Sequence, residues 1–471
     1  MKNVVLWGFD SHLVRNVMEE LEEEGLYKIK RWVVSETQKK GEFFSKRNDA
    51  IAWFQEFLKG SMLKESKHVD FSIESKLYLK IYTLLDRLVR ESYFTNNSIY
   101  ENLNVLYLLI YNFNFVLKKE KIDLVIFEDI PHGAPDSILY YLCKELSIKT
   151  LILVPTKFSN HFNYIFDIED YGIFDKSPIF EYESKKISIK KTYQKNLYYM
   201  NSSFFCKGWR ERYRIFFDFK GWKKERKEII QKNRSKYPSI LNFLCKKISQ
   251  YLIRYHRKTE YEKNIKEISV SEVDLMCPFV YFPLHLQPEM TTATLGGKYC
   301  DQLLAIERLR ELLPDNWYIY VKENPKQTSY MRDKYFFDRL KLISNLCFVD
   351  RSVDTYQLIQ TCKFVATITG TAGWEAISGG KNTVIFGYSW YKNFPGVFQY
   401  SENLKVEDVL EYKIDHERLN TITNLFMKKT AIGIYRDDLI ASVENIKFEE
   451  NEANLSRFLR FILKSINEHK C

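Results

Sequence analysis

The stretch from 363 to 386 restricts the fold most. An apolar, β-branched run of strand length breaks at Gly370 and resumes as a short helical pattern through Trp374, Ala376 and Ile377. Gly379 and Gly380 close that helix, and a second apolar strand, 382–386, follows at once. The result is a small βαβ unit. Its Gly/Thr turn lies between the carboxyl end of a strand and the start of a helix. Free N–H groups and the helix dipole favour an anion there. Thr369 and Thr371 add hydroxyl donors, while Gly370 and Gly373 let a phosphate approach the backbone. In many α/β proteins the same turn only packs helix on strand.

The rest of the chain repeats this alternation. Residues 2–9 read as a strand ending in a Gly turn, with Asp10 or Ser11 capping a helix over 14–24 and a second strand over 27–34. Residues 49–118 read as mostly helical, with apolar spacing in 51–58, 77–88 and 103–117. A buried strand, 123–127, runs into the polar turn 128–136, then a helix to 146 and a strand over 149–154. A second α/β unit begins near Pro278. It has strands at 279–282, 317–322 and 347–349, a helix over 299–313, and Ser352 as the cap of a helix near 355–360. Helices over 416–427 and 439–467 end the chain. Alternating strands and helices predict doubly wound parallel sheets, whose functional groups sit at strand carboxyl ends.

A length of 471 residues suits two or three domains. The domain expectation is an N-terminal unit over 1–183, a basic aromatic helical linker or insertion over 184–270, a second α/β unit over 271–425, and C-terminal helices over 426–471. Within 207–258 there are 17 Lys and Arg against 4 Asp and Glu, a local +13 against +10 for the whole chain. The basic character is therefore localised, which implies an anionic surface partner. Trp209, Tyr213, Phe216 and Trp222 are interleaved with the charges, and a helix is expected over 237–255. No nucleic-acid signature accompanies them, so the interfacial mixture of Lys, Arg, Trp and Phe favours a membrane surface over RNA or DNA. No run of about 18 apolar residues is present, so no span is expected. With no basic-then-apolar leader, the expectation is a cytoplasmic protein, peripheral on the inner face of the membrane. The eight cysteines have neither C-x-x-C nor zinc spacing, so they read as reduced thiols and no metal site is expected.

Three polar clusters fall at strand ends of the second unit: His285, Gln287 and Glu289; Lys322, Glu323, Asn324 and Pro325; and Thr369, Gly370, Thr371 and Gly373 with Glu375. Each has an ordinary structural reading. His285 serves as a satisfied loop histidine, Lys322 as a solvated strand end, Glu375 as the partner of a lysine. Together they offer cations, helix-end donors and carboxylates, a set suited to a nucleotide with a phosphate leaving group. In the first unit Glu128, Asp129, His132 and Asp136 occupy the equivalent place. They form a candidate acid/base group, in which Asp136 can alternatively cap the next helix and His132 orient the turn.

At these residues the chain resembles the capsule polysaccharide biosynthesis family. The similarity lies in 282–289, 297–302, 320–325 and 369–376, and more weakly in 130–136. It implies a GT-B glycosyltransferase, with two Rossmann-like domains facing a cleft, that uses a CMP-activated 2-keto sugar acid such as Kdo or a nonulosonic acid. The family usually reads Lys-Glu-His-Pro where this chain has Asn324, and an amide contacts phosphate or ribose but cannot shuttle a proton. The resemblance implies the donor on the second domain and a glycan or lipid-linked glycan acceptor on the first. No cofactor or metal is implied. The turn at 370–374 and Lys322 would take up the charge of departing CMP. His285, Gln287 and the Thr291 and Thr292 hydroxyls would meet the sugar carboxylate. A UDP- or GDP-hexose transferase and a non-catalytic subunit binding glycan or lipid remain as alternatives.

Overall fold

The computed structural model describes residues 1–52, 98–158, 160–174, 240–329, 331–442 and 446–468, with isolated positions 57, 84, 85, 179, 188 and 189. The basic aromatic run before 240 and most of the helical expectation for 53–97 lie outside the described residues. The first six strands are β1 (Lys2–Trp7), β2 (Tyr27–Val34), β3 (Ala50–Ala52), β4 (Leu124–Phe127), β5 (Lys149–Pro155) and β6 (His161–Ile165). The next seven are β7 (Ser269–Val270), β8 (Phe279–Pro283), β9 (Tyr318–Lys322), β10 (Leu346–Val349), β11 (Val365–Thr367), β12 (Thr383–Ile385) and β13 (Val397–Gln399). The last is β14 (Ala431–Ile432).

They form two sheets of seven strands. The first has the order β14-β6-β5-β4-β1-β2-β3, parallel from β3 to β5 and antiparallel at β6 and β14. The second has the order β13-β12-β11-β8-β9-β10-β7 and is parallel throughout. β4 is buried at all four positions, as a strand covered by helices on both faces must be. The strand order reverses between β1 and β4 in the first sheet and between β8 and β11 in the second, with the short β7 added beyond β10. A crevice opens at the carboxyl ends of the strands on either side of such a reversal. The expected α/β class, with two Rossmann-like doubly wound domains in the GT-B arrangement, is the fold of this chain.

Helices cover the sheets: α1 (Arg15–Glu23), α2 (Ile99–Lys119), α3 (Ala134–Glu145), α4 (Ile240–Ile268), α5 (Gln302–Leu312), α6 (Thr355–Thr361), α7 (Thr371–Ser378), α8 (His416–Lys428) and α9 (Phe448–Glu468). Local chemistry sets several ends. Ser98 and Glu101 form a reciprocal capping box at the start of α2. Asp301 caps α5, so this helix starts after a π turn at Met290–Thr294 and a 3-10 turn at Gly297–Cys300, not at 299. Asp354 caps α6 through the N–H groups of Tyr356 and Gln357; Ser352 instead bonds Asp350. Ile51 belongs to the edge strand β3, not to a helix, because its neighbours pair with Trp32 and Val34. Helix α4 runs 13 residues beyond the expected end at 255, and α9 starts at Phe448, after a 3-10 turn at Asp437–Ser442.

The final segment returns to the first sheet. β14 pairs with β6, and Leu455, Phe458, Leu459 and Ile462 share a core with Val4, Leu6, Val17 and Met18. The two domains meet through aromatic packing. Phe158 stands edge-on to Trp374 and Trp390, and Phe174 packs on Phe426 at 4.7 Å between ring centres. Aromatic pairs of this geometry bury large apolar area with defined orientation.

Candidate active site at the two strand-order reversals

In the first domain the turn after β1 meets the turn after β4. Gly8 has φ +87°, and a Cβ there would lie 2.1 Å from Glu128 Oε2, so both conformation and space demand glycine. The next N–H, of Phe9, donates to that same oxygen at 3.0 Å. Burial pushes the Glu128 carboxyl up to about 8, with the nearby charge of Asp10 acting in the same direction and the Phe9 N–H opposing both. Burial also raises Asp10 and lowers Lys157 at the end of β5. Asp129 is different. Its carboxylate pairs with Arg436 and accepts the Ile130 N–H at 2.8 Å.

His132 and Asp136 divide the work of the following turn. Asp136 accepts the N–H groups of His132 at 2.9 Å and Gly133 at 3.2 Å, closing the first turn of α3. His132 Nδ1 lies 2.7 Å from the Ile130 carbonyl, which can only accept, so Nδ1 carries the proton and Nε2 carries the lone pair.

In the second domain the turn after β8 meets the turn after β11. His285 is buried, and its Nε2 accepts the Thr369 N–H at 3.3 Å. Burial lowers this imidazole to about 4, so the ring is neutral. The Gly370 N–H donates to Thr367 Oγ1 at 3.2 Å, and a Cβ on Gly370 would lie 2.8 Å from His285 Nε2. Two of the expected anion donors are thus used within the turn. The N–H groups of Thr371 and Ala372 head α7 with no acceptor among the described residues. Gly373 is required by the Tyr391 hydroxyl, 2.3 Å from where its Cβ would be.

The remaining candidates are held in a buried network. Gln302 spans the backbone of His285, accepting its N–H at 2.7 Å and donating to its carbonyl at 3.1 Å. Gln327 does the same for Gln287, at 2.8 and 3.4 Å. The Gln287 side chain donates to the Cys300 carbonyl and accepts from Arg332. Arg332 and Glu323 form an ion pair at 2.9 Å with both side chains fully buried. Lys322 Nζ bonds the Val353 carbonyl and Thr355, at the start of α6. Asn324 accepts the Lys326 N–H in an Asx turn at Pro325. Glu289 contributes its carbonyl to the π turn, and Glu375 is buried in α7. Gln287, Lys322, Glu323 and Asn324 therefore shape the loops at the strand ends, while the 371–372 N–H groups head α7.

The two reversals are linked by one short element. In the π turn, the Thr294 hydroxyl donates to the Pro131 carbonyl at 2.9 Å, and the Thr291 carbonyl accepts from Thr369 at 2.8 Å. The acidic turn of one domain and the Gly/Thr turn of the other thus flank the same five residues. Gly8, Asp10, Arg332, Gln302, Gln327 and Arg436 had not been singled out as site residues. Gly8 and Asp10 were discoverable, because the Gly turn after the first strand is the position equivalent to 128. Arg436 was not, since it lies 307 positions from Asp129.

These features define a two-domain α/β protein of the GT-B type whose two reversal points flank the turn at Met290–Thr294. Residues 222–432 match the model of the family described as capsule polysaccharide biosynthesis protein. Among solved structures, Thermosulfurimonas dismutans KpsC, a β-Kdo 2,7 transferase, aligns at 12% identity over 82% of this chain and 98% of that one, with a TM-score of 0.30. The β-Kdo 2,4 transferase of the same protein aligns at 12% over 71% and 87%, with a TM-score of 0.29. The UDP-GlcNAc 2-epimerase of Methanocaldococcus jannaschii aligns at 9% over 98% and 99%, with a TM-score of 0.23. At such scores the strand orders, not these superpositions, define the fold. No curated protein matches the chain.

Proposed function

We propose that the protein is a glycosyltransferase that moves a CMP-activated 2-keto sugar acid, of the Kdo or nonulosonic type, onto a glycan or lipid-linked glycan in surface-polysaccharide assembly. The observation that carries this reading is the junction at 291–294, where a proton-handling turn and a helix N-terminus meet across the domain boundary. The family match over 222–432 supports it.

In this reading the bond from the anomeric carbon to the phosphate oxygen breaks, and the electron pair leaves on CMP. The N–H groups of Thr371 and Ala372, with the dipole of α7 behind them, take up that charge. His132 Nε2 accepts the proton of the acceptor hydroxyl as the new bond forms. Glu128 holds its proton near neutral pH. A protonated carboxyl donates a hydrogen bond to an acidic sugar, where an ionised one would repel it. Asp129 with Arg436, and Asp136 with its backbone donors, position the turn. No residue here depends on a metal, and metal-independent transfer is part of the proposal. Helix α4 leaves Ile248, Leu252 and Tyr255, at i, i+4 and i+7, about half exposed along one face. This stripe beside the basic run supports docking on an anionic membrane, and vesicle flotation at low salt tests it.

The decisive experiment is to incubate the protein with CMP-Kdo and CMP-nonulosonic acids and follow CMP release with and without acceptor glycans. Release is expected from at least one donor. His132→Ala should lower it about 10²- to 10⁴-fold while CMP binding persists. Thermal stabilisation by UDP or GDP but not CMP would support a hexose donor instead. Unchanged turnover in His132→Ala would remove the assignment of the base.

A further inference from the structure

Two cavities lie beside the junction, and the crevice chemistry uses neither. The larger, about 1060 Å³, is shared by the domains; Tyr141 and Lys144 of α3 face Thr292, Lys298 and Phe336 across it. The smaller, about 330 Å³, lies at the carboxyl ends of β12 and β13. Its aromatic floor is Phe386 stacked on Tyr400 at 4.7 Å, with Tyr299 edge-on at 5.0 Å. Gly297, Lys298 and Tyr388 line both cavities, so the two adjoin at these residues. Neither includes 128–136 or 369–375 in its lining. The π turn stands between the larger cavity and the 369 turn.

Lys144 is neutralised by Asp167, and Asp301 by Arg339. Two further carboxylates line the cavities away from the shared residues, Glu169 in the larger and Glu402 in the smaller. Lys298 is the lining cation without a carboxylate partner. It is exposed at the join, its ammonium sits 5.2 Å from the centre of the Tyr299 ring, and no carboxylate pairs with it among the described residues. A groove with aromatic surfaces at intervals and one unneutralised cation at its waist fits a chain of pyranose rings. The apolar C–H faces of the sugars stack on the rings, and an anionic group meets the ammonium.

We infer that the two cavities form one groove for an oligosaccharide, and that Lys298 reads the carboxylate of an acidic sugar unit within it. The inference rests on the transferase reading for its purpose, since a groove ending at the junction would deliver a growing glycan to the crevice. It also gives a role to Lys298, which the candidate active site leaves unused.

The test is a binding measurement on the full chain with no donor present, so it stands apart from turnover. The probes are the hexamer of galacturonic acid, maltohexaose as a neutral hexamer, and CMP. The acidic hexamer should bind about tenfold more tightly than the neutral one, with the preference shrinking as salt rises. Lys298→Ala should remove the preference and Lys298→Arg should keep it, while Tyr388→Ala weakens both hexamers. CMP affinity should be the same in all three variants, and CMP should not displace the hexamer. Lys298 is exposed, so its variants are expected to melt with the parent. Equal binding of the two hexamers, binding of neither, or an unaltered preference in Lys298→Ala would overturn the inference. So would displacement by CMP or loss of CMP binding in Lys298→Ala, since Lys298 would then serve the nucleotide phosphate.

Discussion

The two strand-order reversals solve the same geometric problem with opposite chemistry. In each, a backbone N–H from one turn is accepted by a side chain from the other: Phe9 by Glu128 in the first domain, Thr369 by His285 in the second. In the first domain the acceptor is a carboxyl whose proton is retained to about 8. In the second it is an imidazole that burial keeps neutral down to about 4. Around Glu128 lie further charged groups, Asp10, Asp129 and Arg436. Around His285 lie amides, Gln302 and Gln327, and one buried ion pair. One end holds a buried proton at neutral pH; the other is held by amides, a neutral imidazole and a buried ion pair. In the proposed transfer, the second would cradle the departing group and the first would face the incoming one.

The largest expected effect tests the rigid side. Arg332→Ala strands a fully buried Glu323 carboxylate and frees the loop at 285–287. Breaking a buried pair costs about 3–5 kcal/mol, so chemical denaturation should show a loss of that size. A loss below about 1 kcal/mol would mean that the network is not what holds the cradle.

A smaller effect tests the titratable side. The folded value of Glu128 lies above its ordinary value of 4.5. The folded state therefore binds the extra proton, and the stability this provides is complete below about pH 4.5 and fades as pH rises towards 8. Glu128→Gln lacks that dependence. Denaturation midpoints should coincide at pH 4.5 and favour the variant by on the order of a few kcal/mol at pH 8, at about 1.4 kcal/mol per unit of displacement. A constant gap across this window would show that Glu128 does not hold its proton.

The smallest effect sharpens the division of labour within one turn. Asp136→Ala removes two backbone contacts at the start of α3 and should cost about 1 kcal/mol in stability. Any fall in turnover should be small beside that of His132→Ala. Kinetics showing equal damage from both would move Asp136 from cap to chemistry.

The sequence carried the fold where local rules act alone. The βαβ unit at 363–386 was legible because its strands are short apolar runs broken by glycine, and β4 because it is apolar at every position. Asp354 displaced Ser352 as a cap because it lies next to the first helical residue, a difference of two positions that spacing did not resolve. The edge strands β3, β7, β13 and β14 were missed; each is two or three residues long and depends on its partner strand. In the site, residues were legible as types at strand ends, but their engagements were not. Lys322 turning to Thr355 and Gln287 to Arg332 depend on contacts 33 and 45 positions away. Asp136 was legible as a cap because a carboxylate three residues after a glycine, before an apolar run, has a local use.

The return of the chain to its first sheet has a consequence for biosynthesis. Leu455, Phe458, Leu459 and Ile462 complete the apolar interior that begins with Val4 and Leu6. A nascent chain leaves the ribosome from its amino end, so that half must wait, partly open, until its counterpart has been made. Neither half is a separable cassette. A stop codon before 448 would damage the part of the protein translated first.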